Sequence, residues 1–90
     1  MRIEFYPIKQ AKTLEERGLD FADAIQIFNG NHLTLEDKRA DYCERRFQTA
    51  GLLAGRIVVL VWTHRENARR IISMRKANER EITKIGSTLD

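Results

Sequence analysis

The chain alternates between two hydrophobic periods. Arg2-Ile3-Glu4-Phe5-Tyr6 alternates and stops at Pro7, which predicts a short first strand. Ile8, Ala11 and Leu14 then recur at helical spacing up to Arg17, predicting a helix with those three residues on one face. Pro7 fits its first turn, and Gly18 fits the left-handed position past its end. Asp20 caps a second helix, where Phe21, Ala24, Ile25 and Phe28 recur at i, i+3, i+4 and i+7 up to Asn29-Gly30-Asn31.

From His32 the period falls to two. His32–Glu36 predicts a strand, 37–44 a charged loop, and Arg45–Leu53 a second alternating strand. Ala54-Gly55 is a turn, and Arg56–Thr63 is a strand apolar on both faces, as a central strand is. After the loop Arg65-Glu66-Asn67, Arg69–Met74 is the last strand, which completes an antiparallel meander. Asn78 with Glu81 forms a capping box for a short final helix closed by Gly86. The order is β-α-α-β-β-β-β-α, an α+β fold, read as one domain over residues 1–90. The final helix carries a basic stripe, Lys76, Arg80 and Lys84, with only Ile82 and Ile85 as an apolar strip. Such a helix is weakly tied to its own core.

Composition narrows the classes. Apolar residues, at 42% of 90, supply one modest core. A single cysteine, Cys43, excludes an internal disulfide and a cysteine-based zinc site. The longest apolar run, Ile57–Trp62, is too short to span a bilayer, and no signal peptide is visible, so a cytoplasmic protein without membrane contact is expected. The net charge of +3 hides an asymmetry: up to Arg45 there are seven cations and nine acids, and from Arg46 onward nine cations and four acids. Eleven of the cations are arginine, which grips phosphate bidentately.

The densest run is Arg69-Arg70-Ile71-Ile72-Ser73-Met74-Arg75-Lys76. Strict alternation puts Arg70, Ile72 and Met74 on one face and Arg69, Ile71, Ser73 and Arg75 on the other. With Arg46, Arg56 and Arg65 nearby, these cations suit a phosphodiester backbone, or form a solvated basic face. Cleavage of RNA asks little more. The ribose 2′-hydroxyl attacks its own phosphorus, so the protein must hold the chain in line, neutralise the five-coordinate phosphate and move a proton. No cofactor or metal is called for, and His32, His64 and Cys43 lack ligand spacing. Candidate bases are His64, Glu66, Lys76 and Glu81, none of them singled out by the sequence. Trp62 and Phe47 fit the core better than a base-stacking platform. Tyr6 and Tyr42 could stack on a base or pack in turns.

These residues resemble a known family. Phe5-Tyr6-Pro7-Ile8-Lys9, Thr13–Phe21 with Ala24, Asp37–Arg46 with Gly51, Val61-Trp62-Thr63, and Arg70–Asn78 with Arg80-Glu81 are similar to the BrnT-type ribonuclease toxins of type II toxin–antitoxin systems. The resemblance implies a RelE-like fold with a central antiparallel sheet of four to five strands, two N-terminal helices and a short C-terminal one. It implies metal-independent cleavage of RNA that halts translation. It also implies a BrnA-type antitoxin with a ribbon-helix-helix domain, which reads the operator so that the pair represses its own operon; DNA is met only through that antitoxin. Carried over by position, the resemblance points to Arg46, Thr63, Arg75, Lys76, Arg80 and Glu81 as catalytic, while the basic run adds Arg65, Arg69, Arg70 and Lys84 as RNA contacts. The chain departs from the family where Lys-His-Gly is replaced by Glu16-Arg17-Gly18, and where Tyr6, Cys43 and Ile85 stand for Asp, Gly and Tyr. The alternative reading is a non-catalytic relative that keeps only antitoxin binding. A DNA-binding role finds no helix-turn-helix in the sequence.

Overall fold

The computed structural model describes residues 1–89. The elements are β1 (Arg2–Glu4), α1 (Pro7–Arg17), a 3-10 turn (Phe21–Asp23) running into α2 (Ala24–Asn29), β2 (His32–Asp37), β3 (Arg46–Leu53), β4 (Arg56–Arg65), β5 (Ala68–Lys76) and α3 (Glu79–Leu89). The order matches the sequence reading. The sheet runs β1-β5-β4-β3-β2. Strands β2 to β5 form the antiparallel meander, but β1 pairs parallel with β5, so the sheet is mixed rather than antiparallel. Alternation marks a strand without marking its direction, and the partner of β1 lies more than sixty residues away in sequence.

Local chemistry explains the joints. Pro7 opens α1, and Gly18 closes it at φ 68° with its N–H on the Leu14 carbonyl. The Asp20 carboxylate accepts from the Ala22 N–H at 2.9 Å. Ala54 and Gly55 both have positive φ, 51° and 77°, the turn geometry whose twist matches a tight hairpin.

The core lies between α2 and one sheet face. Phe21, Ile27 and Phe28 meet Val58, Leu60, Trp62, Ile71 and Met74. Trp62 is buried, with its indole N–H donating to Thr49 Oγ1 at 2.8 Å, and Phe47 stacks on its ring at 4.9 Å. Both aromatic residues are core, as the strand pattern indicates. α2 reaches the sheet closely because residue 51 is glycine: a Cβ there would lie 2.6 Å from Ile27 Cγ2.

Three expectations change. First, α1 buries none of its residues, and Ile8 is 84% exposed. Its half-buried positions are Gln10 and Thr13, because α1 flanks the polar outer edge of β5 instead of roofing the core. Second, β5 carries a bulge opposite Val61 and Trp62. Trp62 pairs with Ile71 and Val61 with Ser73, so Ile72 is extra and the alternation re-phases there. Third, α3 runs through Gly86 to Leu89, as long as α1, because Leu89 is buried and anchors another turn. The capping box at its start is present. Asn78 Oδ1 accepts from the Glu81 N–H and Glu81 Oε1 from the Asn78 N–H, both at 2.9 Å.

Candidate functional site

The sheet face opposite α2 is crossed by α3 and carries a polar row. Residues paired across strands share a face. The pairings run Glu4, Arg70, Thr63, Arg46, Asp37 from edge to edge. A second row, Ser73, Val61, Gln48 and Leu35, lies beside it, and a third, Arg75, Val59, Ala50 and Leu33, beyond. The bulge is what brings Arg70, Ser73 and Arg75 to one face. Strict alternation would have separated Arg70 from Arg75.

Arg75 is held from α3. Its Nη1 and Nη2 donate to Glu81 Oε1 and Oε2 at 2.7 and 2.8 Å. The Arg75 guanidinium, with the Asn78 N–H, lowers the Glu81 carboxyl to about 2. Glu81 is therefore a committed acceptor at neutral pH and a weak base.

A matching pair stands at the far edge. Asp37 ends β2 with a fully buried carboxylate, which accepts from Arg39 Nε and Nη2, both at 2.8 Å. It also accepts from the Arg39 N–H at 3.2 Å and the Tyr42 hydroxyl at 3.3 Å. Its pKa falls far below the ordinary carboxylate range, with the Arg39 side chain the largest cause. The Arg39 charge is the smallest of the influences on Arg75, whose cation is held mainly by Glu81. Two arginines are thus each steadied by a carboxylate fork, Arg75 from α3 and Arg39 from the end of β2. Sequence reasoning missed Asp37 and Arg39 within what read as a charged loop. The available signal was an acid closing a strand two residues before an arginine.

Arg46 lies in the first row with its guanidinium over the Tyr42 ring at 4.2 Å and Nη2 3.5 Å from Glu44. Its buried Nε has no partner. Tyr42 is thereby occupied by an arginine, in turn packing rather than an open platform. Arg70 rests on the Tyr6 ring, donates to the Tyr6 hydroxyl at 2.9 Å, and lies 3.7 Å from Glu4. Arg80 and Lys84 rim an apolar groove of about 350 Å³ between α3 and the β2 side of the sheet, floored by Leu33, Leu35 and Ala50.

Thr63 is a buried member of the first row, and Lys76, Arg69 and Arg65, also singled out from the sequence, lie off it. The Thr63 hydroxyl donates to the Arg45 carbonyl at 2.6 Å, so it steadies the backbone at Arg46. Lys76 follows Arg75 directly and therefore faces the other way, beside Arg56 and Val58 at the hairpin end. Arg69 is on the core-side face, over the rings of Phe28 and Trp62 at 4.5 and 4.6 Å. Arg65 ends β4 at the exposed turn into β5. His64 is exposed, edge-on to Phe47 and Trp62, on that same core-side face. Cys43 is exposed and free.

Where the resemblance has histidine, Arg17 sends Nη1 to the Met74 carbonyl at 2.8 Å. Among the described residues no helix is long and apolar enough to cross a membrane, and no three His, Cys, Asp or Glu side chains gather as a metal site would require.

No curated protein matches the chain. A family described as the ribonuclease toxin, BrnT, of type II toxin-antitoxin systems matches residues 5–81. With a five-stranded sheet and the matched motifs spread over all its strands but the first, the chain belongs to the BrnT family of ribonuclease toxins.

Proposed function

We propose that the protein is an endoribonuclease toxin that cuts RNA without a metal and thereby inhibits translation, and that the face carrying Arg39, Arg46, Arg70 and Arg75 is its active surface. The observation that carries the reading is the pair of forked arginines. Arg75 on Glu81 and Arg39 on Asp37 are each fixed in geometry by two hydrogen bonds, so each presents a preset guanidinium to an anion. A phosphodiester is the anion that this family's substrate supplies.

The chemistry follows from the ribose. Its 2′-hydroxyl gives up its proton to solvent and attacks the adjacent phosphorus, closing a 2′,3′-cyclic phosphate, and the 5′-oxygen of the next nucleotide leaves and takes a proton from solvent. Arg75 and Arg39 neutralise the charge that grows on the phosphate oxygens, and their fork geometry costs no rearrangement during reaction. Arg46 and Arg70 hold neighbouring phosphates and so keep the nucleophile in line. Glu81 and Asp37 act as positioning residues.

In the same reading the fold is RelE-like, the protein works in the cytoplasm, and a BrnA-type antitoxin with a ribbon-helix-helix domain covers the basic face. That antitoxin reads the operator, and toxin and antitoxin together repress their operon. The support is the family's definition as one half of a toxin–antitoxin pair.

Purified protein incubated with RNA in EDTA should yield fragments, and induction without the partner should arrest growth. Intact RNA together with normal growth overturns the enzyme reading and leaves a non-catalytic relative that binds only its antitoxin.

A further inference from the structure

α1 is turned with polar side chains toward the sheet. β1 covers β5 only at Ala68, Arg69 and Arg70, so from Ile71 onward the outer edge of β5 has no strand beside it. α1 lies along this open edge, and Arg17 satisfies the Met74 carbonyl. Between α1 and the bulged stretch runs a cleft of about 280 Å³, lined by Lys9, Lys12, Thr13 and Arg17 from the helix and Ser73 from the strand, with Glu16 as its one acid. None of the ion pairs of the described residues involves Lys9, Lys12 or Arg17.

An open cleft with two lysines outside any ion pair, an arginine held on a backbone carbonyl, one acid and two hydroxyls suits a phosphate. Its position suggests which one. Ser73 lines the cleft and shares a sheet face with Arg75, two residues or about 7 Å along the strand. A chain held at Arg75 and leaving across β5 therefore passes over Ser73 to Lys9 and Lys12.

We propose that the cleft between α1 and β5 is a second phosphate subsite for single-stranded RNA, with Lys9 and Lys12 as its cations. It takes a backbone phosphate adjoining the one at Arg75. The proposal rests on the ribonuclease reading above, and it extends the bound RNA onto an element that reading does not use.

The test is a Lys9→Gln, Lys12→Gln double variant compared with Arg2→Gln, which removes an exposed cation at the start of β1, paired with Ala68 at the other end of β5. Both changes are at exposed positions, and circular dichroism checks the fold. With an RNA oligomer as substrate, the double variant should raise KM about tenfold at unchanged kcat. Its log–log salt slope should become shallower by about 0.7, the contribution of one single-strand phosphate. A dinucleotide, too short to reach the cleft, should be cut equally by both proteins. An unchanged KM and slope overturns the subsite, as does a fall in kcat alone or an equal effect from Arg2→Gln. If the unaltered protein cuts no RNA, the ribonuclease reading has failed. Anisotropy of a labelled RNA oligomer then decides the subsite separately, and equal affinity for the double variant and the unaltered protein overturns it.

Discussion

Both terminal nitrogens of Arg75 end on the two carboxylate oxygens of Glu81, at 2.7 and 2.8 Å, and this fork joins the last strand to the last helix. The Asn78 N–H shares the same carboxylate, so one side chain caps α3 and fixes an arginine of the candidate site. The Glu81 pKa is lowered to about 2, so its ionised form stabilises the fold above the ordinary carboxyl pKa. That contribution fades as pH falls from about 4.5 toward 2. Glu81→Gln keeps the cap but loses the charge, and should cost about 1 kcal/mol at pH 7, since both groups are partly exposed. Urea unfolding followed through Trp62 at pH 7 and pH 3 should show the gap between the two proteins narrowing at the lower pH. A gap that stays constant would mean that the fork adds nothing to stability.

Neighbours in β5 should separate functionally. Arg75 faces α3 and the candidate site, whereas Lys76 faces the hairpin end beside Val58. Arg75→Lys keeps the charge and loses the fork, and should lower RNA cleavage about a hundredfold. Lys76→Ala should leave cleavage within about twofold of the unaltered protein. Fragment yield on gels, with circular dichroism alongside, measures both. Equal losses would return Lys76 to the site.

The difference between those two residues shows what the sequence makes legible. Local chemistry reads well: Pro7 and Gly18 bound α1, Asn78 and Glu81 cap α3, and Ala54-Gly55 turns the hairpin, because each acts within a few residues of itself. The site depends on longer relationships. One extra residue at Ile72 re-phases β5, and no feature of Ile71-Ile72 announces it, since both residues suit a regular strand. The inward side of α1 is not legible from Ile8, Ala11 and Leu14, which keep helical spacing, because the surface that α1 meets is a strand edge with carbonyls to satisfy, which Arg17 does. Asp37 and Arg39 passed for loop charges because burial of Asp37 is set by the sheet and by Tyr42.

Gly51 should resist any side chain. Gly51→Ala would place its Cβ 2.6 Å from Ile27 Cγ2, and α2 would have to lift from β3. A loss of about 1–3 kcal/mol in urea unfolding is expected, and the double variant with Ile27→Ala, which removes that Cγ2, should lose less than the sum of the two single losses. A neutral Gly51→Ala would mean that α2 is free to shift.

Thr63 offers the sharpest test of indirect support for the site. It is buried, pairs in register with both Arg46 and Arg70, and gives its proton to the Arg45 carbonyl at 2.6 Å. Thr63→Val keeps the shape and leaves that carbonyl without its donor, at a cost of about 1–2 kcal/mol. The strand end carrying Arg46 then loosens, while the substrate-facing charges remain. KM for RNA should therefore rise with little change in kcat, because Arg46 is proposed to hold a neighbouring phosphate rather than the reacting one. Thr63→Ser restores the hydroxyl and should restore both stability and KM. Failure of serine to rescue either would show that the methyl group of Thr63, and not its hydrogen bond, is what the site requires.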